Sequence, residues 1–515
     1  MKDLSRVIVV GGGTSGWLSA AYLASSFKRT GRDIKVSIIE SDTIPTIGVG
    51  EGTFPTIVNT LYEIGLSEKE FIAECDASFK QGALFKNWLY NPSEKPHAYY
   101  HPFDPPAKPK GLDLSAYWVS RKHQGTMQQD FAHATSVQSF LCDENLAPKT
   151  PETGEYAWLA KYAYHLDAAK LGQLLKKHAM NKLQVEHIVA DIEQVELDEQ
   201  GFIAHLVDKQ QRQHDADFFV DCTGFSSLLL AKALNVPLVD KSHYLTVDTA
   251  VVLPVEYADA ETPITTHTVS TAQDAGWIWD IALQNRRGTG YVYNSHYCSK
   301  EQAEKTLCDY HGIAHDSEKR YRHISFKTGY REKSWAKNCC AIGFSSGFVE
   351  PLEATAIAMV EAGVRSLAAR FPATREAMLE REKQYNRIFT SRWDNIIDFI
   401  KLHYCLTKRD DTPFWREQKN PETIPVSLQE KLKAWQHYGI TDGDLPYKYD
   451  LFTLASWQYI LYGLEFLPDY VEKAPINEEI IDKAFASIAA QKRSAASKLL
   501  SNRALLEAFG ASCKS

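Results

Sequence analysis

No apolar run in the 515-residue sequence approaches the roughly 18 residues that are needed to cross a bilayer. The N-terminus breaks into glycines after too few apolar residues to form a signal peptide. Runs of basic residues are also missing, and the net charge is −8. These absences predict a cytoplasmic protein whose partners are neither nucleic acids nor membranes.

The nine cysteines lack any CxxC or other metal-ligand spacing, and two of them, Cys339 and Cys340, are adjacent. An odd, scattered set in a long chain predicts reduced thiols and no metal site. Hydrophobic residues at 44% and charged residues at 24% are ordinary globular values. A chain of this length is therefore expected to bury a substantial core and to form two or three lobes.

The start of the chain has the clearest pattern of secondary structure. Residues 6–10 form a short apolar run, residues 17–27 carry helical spacing, and residues 34–39 form the next apolar run. This order of strand, helix and strand is typical of a parallel α/β sheet.

The rest of the chain predicts a β-rich insertion and a helical end. Periodicity fades over 89–157, where prolines cluster, so this segment is expected to be loop-rich. Further expectations are a helix over 165–180, strands near 185–194, 202–207 and 216–225, mainly strands over 245–330, and helices over 376–405 and 477–509.

A glycine fingerprint follows the first strand. Gly11, Gly13 and Gly16 have the G-x-G-x-x-G spacing between that strand and the helix, and Glu40 closes the second strand. Glycines there allow a tight turn and close approach to a pyrophosphate, and the acidic residue binds a ribose hydroxyl. The fingerprint predicts a dinucleotide but does not separate FAD from NAD.

Two further stretches favour FAD. TIGVGEGTFPT at 46–56 is a glycine loop able to lie against a flat ring, and DCTGF at 221–225 closes an apolar strand with a Thr-Gly turn. A second G-x-G-x-x-G is missing. If that means no NAD(P)H site, a different protein must reduce the flavin.

The stretch GWIWDIALQNRRGTGYVYN at 276–294 carries two tryptophans one residue apart. In a strand, Trp277 and Trp279 share one face, while Ile278 and Asp280 share the other. A glycine-punctuated turn and a second aromatic strand are expected to follow. From these residues alone, the favoured interpretation is the core of a hairpin.

Nine stretches together form a more specific pattern than the fingerprint. They are GGGTSGW at 11–17, GVGEGTFPT at 48–56, SFKQGALFKNW at 78–88, HPF at 101–103, DCTGF at 221–225, GWIWDIALQNRRGTGYVY at 276–293, GFVEPLEAT at 347–355, HYCLTKRDDTPFW at 403–415 and SWQYILYG at 456–463. With this set, nearly the whole chain resembles a flavin-dependent halogenase of the tryptophan-halogenase family.

The resemblance implies a fold, which is a mixed α/β fold with an FAD-binding Rossmann-like lobe of the flavin monooxygenase type, a β-rich substrate insertion and a helical C-terminal lobe. The expected division is a core at 1–365 and a helical lobe at 366–515 that completes the substrate site. Within the core, nucleotide-binding segments are expected at about 1–88, 158–240 and 330–365, with insertions at about 89–157 and 241–329.

The resemblance also implies the chemistry. Reduced FAD, O2 and chloride or bromide give hypohalous acid, which passes through a tunnel to Lys80 and halogenates an electron-rich arene. Lys80 corresponds to the family's essential lysine, either as an ammonium that activates hypohalous acid or as an amine that forms a haloamine. Glu353, expected in the first turn of a helix after Pro351, corresponds to the glutamate that stabilises the cationic arene and helps to remove its proton.

Further site residues follow from the same resemblance. Trp277 and Trp279 are expected near the flavin, where they separate oxidant from substrate. The assigned groups are Gly11, Gly13, Thr14, Ser15, Gly16, Glu40, Gly48, Val49, Gly50, Glu51, Val189, Thr223, Gly224 and Gly343 for the cofactor, Thr355 and Ala356 for the halide, and His101, Phe103, Trp277, Trp279 and Pro351 for the substrate or tunnel.

The chain departs from the family at two places that concern specificity. Ala356 stands where many relatives have Gly or Ser. The choice between chloride and bromide is therefore open, and the larger, more easily oxidised bromide is favoured. The Tyr and Glu set that holds the amino-acid end of free tryptophan is not recognisable over 436–456. This favours an indole or another electron-rich arene without a zwitterionic end.

The main alternative is a single-component FAD-dependent aromatic monooxygenase, which would reduce its own flavin with NAD(P)H and need no halide. A flavin-binding protein without catalysis is a third possibility, against which the presence of both Lys80 and Glu353 argues. The halogenase interpretation implies a separate NAD(P)H flavin reductase as partner and a monomer or homodimer.

Overall fold

A computed structural model of the chain describes residues 4–43, 50–316, 321–445 and 450–510. Its strands are β1 Arg6–Val10, β2 Lys35–Glu40, β3 Gly50–Gly52, β4 Ser78–Lys80, β5 Gly82–Lys86, β6 Ala98–Pro102, β7 Ala163–Asp167, β8 Glu186–Val189, β9 Ile192–Leu197, β10 Ile203–Asp208, β11 Gln213–Asp215, β12 Phe218–Asp221, β13 Leu238–Asp240, β14 Thr249–Glu256, β15 Thr268–Gln273, β16 Gly276–Ala282, β17 Arg286–Tyr293, β18 Arg322–Ser325, β19 Gly329–Arg331, β20 Trp335–Ala336, β21 Cys339–Ala341 and β22 Gly347–Phe348. Its α-helices are α1 Thr14–Arg29, α2 Thr56–Ile64, α3 Glu68–Glu74, α4 Ser115–His123, α5 Phe131–Thr135, α6 Gln138–Asp143, α7 Ala168–Leu183, α8 Lys300–His311, α9 Thr355–Ala369, α10 Arg375–Cys405, α11 Pro413–Gln418, α12 Val426–Tyr438, α13 Leu454–Gly463, α14 Glu478–Ala496 and α15 Asn502–Ala508.

The chain divides into two compact units, each assembled from three segments. Unit 1 comprises Met1–Ala77, Leu166–Ser242 and Lys327–Asp394, and unit 2 comprises Ser78–His165, His243–Phe326 and Asn395–Ser515. The fold class is the mixed α/β class that the sequence predicts. No helix in the described segments is both long and apolar enough to pass through a membrane.

Unit 1 contains a six-stranded sheet in the order β20-β21-β12-β1-β2-β8. β1 pairs in parallel with β2 on one side and with β12 on the other, and β21 pairs in parallel with β12. Parallel neighbours require a crossover, which α1 provides between β1 and β2. Because the carboxyl ends of parallel strands meet at one edge of a sheet, the turns after β1, β2, β12 and β21 lie along that edge.

Unit 2 contains a seven-stranded sheet in the order β18-β14-β17-β16-β15-β5-β6. The tryptophan strand β16 lies between β15 and β17, and all seven of its residues are buried. Ile278 packs in a core cluster that includes residues of α8, such as Leu307. Asp280 hydrogen-bonds to Arg287 and Tyr310.

Several helices depart from the sequence-based expectation. Helices α4, α5 and α6 lie in the segment expected to be loop-rich, and each is too short for periodicity to reveal it. Helix α8 interrupts the strand-rich segment. Its capping box of Ser299 and Gln302 is a sequence signal for a helix start, but an analysis of hydrophobic periodicity does not include it. Residues 163–167 are a strand, and α7 begins only after the cap residue Asp167.

Candidate active site

A cavity of about 520 Å³ lies in unit 1 at the carboxyl edge of its parallel sheet. The residues predicted to bind the cofactor that line it are Gly11, Gly13, Thr14, Ser15, Glu40, Glu51, Thr223, Gly224 and Gly343. Such an edge is where nucleotide cofactors bind in doubly wound folds. Gly16, Gly50 and Val189 do not line it, and Gly48 and Val49 lie outside the described residues.

Two glycines of the fingerprint have different surroundings. A Cβ at Gly16 would lie 1.8 Å from the carbonyl oxygen of Gly11, so this glycine permits close packing of α1 on the turn. A Cβ at Gly13 would meet no described atom within 4 Å, so this position faces open space at the start of α1. The open side of Gly13 and the first-turn amides fit a bound pyrophosphate.

We expect Gly13→Ala to weaken FAD binding by about 10-fold or more, because its methyl group would occupy space where the pyrophosphate approaches the backbone. The backbone of Gly13 is extended, with φ −76°, so alanine fits and Tm should fall by only a few degrees. Gly16→Ala is the matched variant, and its overpacking should cost about 1–3 kcal/mol or more without any ligand. Flavin titration and thermal unfolding of both variants would test this, and a large loss of Tm in Gly13→Ala would contradict it.

Two carboxylates of the cavity differ in their electrostatic setting. Glu40, at the end of β2, is paired with Lys176 at 2.7 Å, which holds it in place as the ribose-binding candidate. Glu51 is half-buried, and desolvation raises its pKa to about 7. The cavity therefore holds one ion-paired carboxylate and one that titrates near neutral pH.

Glu353 does not lie in the first turn of a helix, so that prediction is wrong. It lies in a 3-10 turn over Leu352–Ala354, and α9 begins at Thr355. Glu353 has φ 66° and Ala354 has φ 54°, and two successive left-handed residues cannot continue a right-handed helix. Both residue types are ordinary helix formers, so composition gives no sign of the turn.

The halide candidates lie at the start of α9. This helix has 15 residues, and its N-cap residue is Ala354. No side chain at the N-cap position accepts a hydrogen bond from the first-turn amides. Thr355 and Ala356 are the first two residues of the helix, and Ala356 lines the cavity. Amides of a helix N-terminus attract anions, so the position fits the predicted halide site.

Glu361 connects the same helix to α2. Its carboxyl group is buried and accepts hydrogen bonds from the hydroxyls of Thr60 and, at 3.0 Å, Thr56. Burial raises its pKa to about 7, although these hydroxyls and Arg365 oppose the shift. No motif singled out this residue, and its position on α9 is its only sequence signal.

The raised pKa of Glu361 predicts a pH-dependent stability. Between its ordinary pKa of 4.5 and about 7, the folded protein keeps a proton that the unfolded chain releases, so stability falls as pH rises. We expect Glu361→Gln to remove this loss and to gain about 2–3 kcal/mol over wild type between pH 5 and pH 8. Urea unfolding at pH 5 and pH 8 measures the free energy of unfolding, and Glu199→Gln, at an exposed position, is the control. The prediction fails if the difference in unfolding free energy between Glu361→Gln and wild type is the same at both pH values.

Lys80 is the last residue of β4 in unit 2 and is only 3% exposed. Its Nζ lies 5.3 Å from the centroid of the Phe103 ring, so two predicted site residues meet here. The hydroxyl of Ser78, on the same strand, donates to the carbonyl of Ala282 at the end of β16. Lysine is rarely buried this deeply, which supports Lys80 as a candidate functional residue.

His165 is a neighbour of Lys80 that the sequence did not single out. It is fully buried on β7, opposite Ser78 in the register, and its Nε2 lies 2.9 Å from the hydroxyl of Thr268. Burial lowers its pKa well below the ordinary value, and the charge of Lys80 adds to this. The imidazole is therefore neutral and does not compete as a second cation.

Aromatic side chains surround the other substrate candidates of unit 2. The His101 ring lies 5.9 Å from Phe399 and 6.3 Å from Tyr459. The Trp277 and Trp279 rings lie 6.4 Å apart on one face of the sheet, as the strand alternation predicts. Pro351 precedes the turn of Glu353 in unit 1.

The expected glycine-punctuated turn is wrong, because Gly288 and Gly290 lie within β17. A Cβ at Gly290 would lie 2.1 Å from the ring of Trp279, so this glycine makes room for the indole. The packing of Trp279 thus depends on a glycine in the neighbouring strand β17. The sequence of β16 alone does not indicate this contact.

Comparisons with known proteins agree with this arrangement. The family model described as tryptophan halogenase matches residues 6–476. The tryptophan 6-halogenase SttH of Streptomyces toxytricini is 36% identical over 458 residues, 84% of each chain. The solved tryptophan halogenase of Shewanella frigidimarina NCIMB 400 is 39% identical, with a TM-score of 0.94 over 99% of this chain and 98% of that one.

A further solved relative is BrvH, a flavin-dependent halogenase from Brevundimonas sp. BAL3, with 31% identity and a TM-score of 0.86 over 98% of this chain and 99% of that one. The matched family is one of halogenases, so the comparisons give no support to the single-component monooxygenase. The chain therefore belongs to the tryptophan halogenase family, a family of flavin-dependent halogenases.

Proposed function

We propose that this protein uses FADH2, O2 and chloride or bromide to halogenate an indole or another electron-rich arene, with a separate flavin reductase as the source of FADH2. The observation that carries the proposal is the buried Lys80 beside Phe103, in a chain that belongs to this family. Bound FADH2 supplies two electrons and the halide supplies two, so that O2 becomes one water and one hypohalous acid.

The roles of the chain's own residues follow from their chemistry. The first-turn amides at Thr355 and Ala356 hold the halide, and Lys80 holds hypohalous acid at its Nζ. The arene carbon takes the halogen and loses its proton, while the hydroxide of hypohalous acid takes a proton from the Lys80 ammonium and leaves as water. Glu353 stabilises the cationic arene and accepts the proton of that carbon.

The surroundings of His101 support an aromatic substrate. In unit 2, its ring lies 5.9 Å from the ring of Phe399 and 6.3 Å from that of Tyr459, so three flat rings lie together. Indoles bind such surfaces by stacking and edge contacts. Because the family's clamp for the amino-acid end is not recognisable in 436–456, we propose an arene without a zwitterionic end. Because Ala356 stands where many relatives have Gly or Ser, we propose that bromide is favoured over chloride.

The test supplies the purified protein with FAD, NADH, a flavin reductase and bromide or chloride, together with a panel of indoles, phenols and free tryptophan. Mass spectrometry is expected to find the halogen isotope pattern on an indole or phenol. A parallel reaction with NADPH and no reductase tests the monooxygenase. Oxygenated products that form without halide would overturn the proposal.

A further inference from the structure

Three phenylalanines form an aromatic cluster in unit 1. The rings of Phe225 and Phe344 are stacked, with centroids 4.8 Å apart and planes 17° apart. Phe348 contacts both edge-on, at 5.5 Å from Phe225 and 4.8 Å from Phe344. We call these three residues the phenylalanine cluster.

Phe225 is 42% exposed although it belongs to this cluster. Both Phe225 and Phe344 line the cavity in which we propose that the cofactor binds. Single exposed apolar side chains are common and need no explanation, but a stacked pair on a cavity wall offers a flat apolar surface of the kind that a planar ring covers.

The turn that carries Phe225 is held by one carboxylate. Asp221, fully buried at the end of β12, accepts hydrogen bonds from the amides of Thr223 at 3.0 Å, Leu229 at 2.9 Å and Leu230 at 2.9 Å. The hydroxyl of Ser227 donates at 3.0 Å to the carbonyl of Ser345, in the turn that carries Phe344. The two turns that carry the stacked pair are therefore joined by a hydrogen bond.

The strand order indicates which half of FAD meets the cluster. Glu40 ends β2 on one side of β1, while Phe225 follows β12 and Phe344 follows β21, both on the other side. An acidic residue at the end of the second strand binds the adenosine ribose. The cluster therefore lies toward the opposite half of the cavity, where the flavin half of the dinucleotide extends.

We propose that the phenylalanine cluster is a docking surface for the isoalloxazine ring, with Phe225 in direct contact with the flavin. This inference rests on the proposed use of FAD. Because the surface is preformed, binding covers an exposed phenyl ring without a cost for ordering it.

The test compares the Kd of FAD with that of ADP, a probe without the isoalloxazine ring, by calorimetry. Phe225→Ala is expected to raise the Kd of FAD by about 3- to 10-fold and to leave that of ADP unchanged, since an aromatic contact contributes in that range. Phe225→Tyr keeps the ring and should restore the affinity and the wild-type flavin absorbance. Tyr62→Ala, which removes an exposed aromatic of α2, is the matched control and should change neither Kd.

Two results would overturn the inference. One is an unchanged Kd of FAD in Phe225→Ala, and the other is an equal loss for FAD and ADP, which would indicate contact with adenosine or a collapsed turn. A wild-type protein that binds no FAD would instead overturn the proposed function, so the two failures are distinguishable.

Discussion

Replacing Lys80 by methionine is expected to lower the halogenation rate by at least about 10²-fold, because no ammonium remains to hold hypohalous acid. Methionine has a similar length and is apolar, so it fills the space beside Phe103. FAD binding should be kept, and thermal unfolding shows whether the fold tolerates the loss of the amino group. Mass spectrometry of the halogenated product measures the rate, flavin titration measures FAD binding, and thermal unfolding measures Tm.

The matched control is Lys86→Met, which changes an exposed lysine on β5, the next strand along the chain, and should keep the wild-type rate. Halogenation by Lys80→Met within a few-fold of wild type would remove Lys80 from the proposed mechanism. A loss of both FAD binding and Tm would instead assign Lys80 a role in folding.

Replacing Glu353 by glutamine is expected to lower kcat by about 10²-fold, since the amide neither stabilises a cationic arene as well nor accepts its proton. The two side chains have nearly the same shape, so the strained turn and FAD affinity should persist. With proton removal slowed, a substrate deuterated at the reacting carbon should show an isotope effect that wild type lacks. Steady-state kinetics with both substrates measure it.

Ala354→Gly is the matched control for the turn. Glycine adopts the left-handed conformation of this position without strain and leaves the carboxylate of Glu353 in place. Its rate should stay within a few-fold of wild type. If Ala354→Gly lost as much activity as Glu353→Gln, the turn itself, and not the carboxylate, would account for both effects.

Local patterns predicted the nucleotide-binding part of unit 1 well. The strand predicted at 6–10 is Arg6–Val10, and the one predicted at 34–39 is Lys35–Glu40. Buried parallel strands are continuous apolar runs with glycines at their ends, so hydrophobicity and turn chemistry both mark them. The long helix predicted at 376–405 is Arg375–Cys405, because many turns of periodicity reinforce one another.

The residues of the candidate site could be predicted only where they belong to a sequence motif. Nothing along the chain marks Lys80 as buried, His165 as its neighbour or Glu361 as a carboxyl that titrates near neutral pH, because these properties come from residues distant in sequence. The same applies to Gly290, whose partner is Trp279 on the opposing strand. The predicted lobe boundaries, the site roles and the oligomeric state stay predictions.

The three-segment construction of unit 1 has a consequence for synthesis of the protein. β12 pairs with β21, so that Phe219 meets Cys339, and the central sheet is incomplete until the ribosome has passed residue 341. At about 5–20 residues per second, the first strand waits roughly 15 to 70 seconds for this closure. Apolar strand edges are exposed during that time and can pair with other chains. Slower translation or lower temperature should therefore change the yield of soluble protein more than it would for a fold closed by local contacts, and a fragment that ends at residue 240 should not fold.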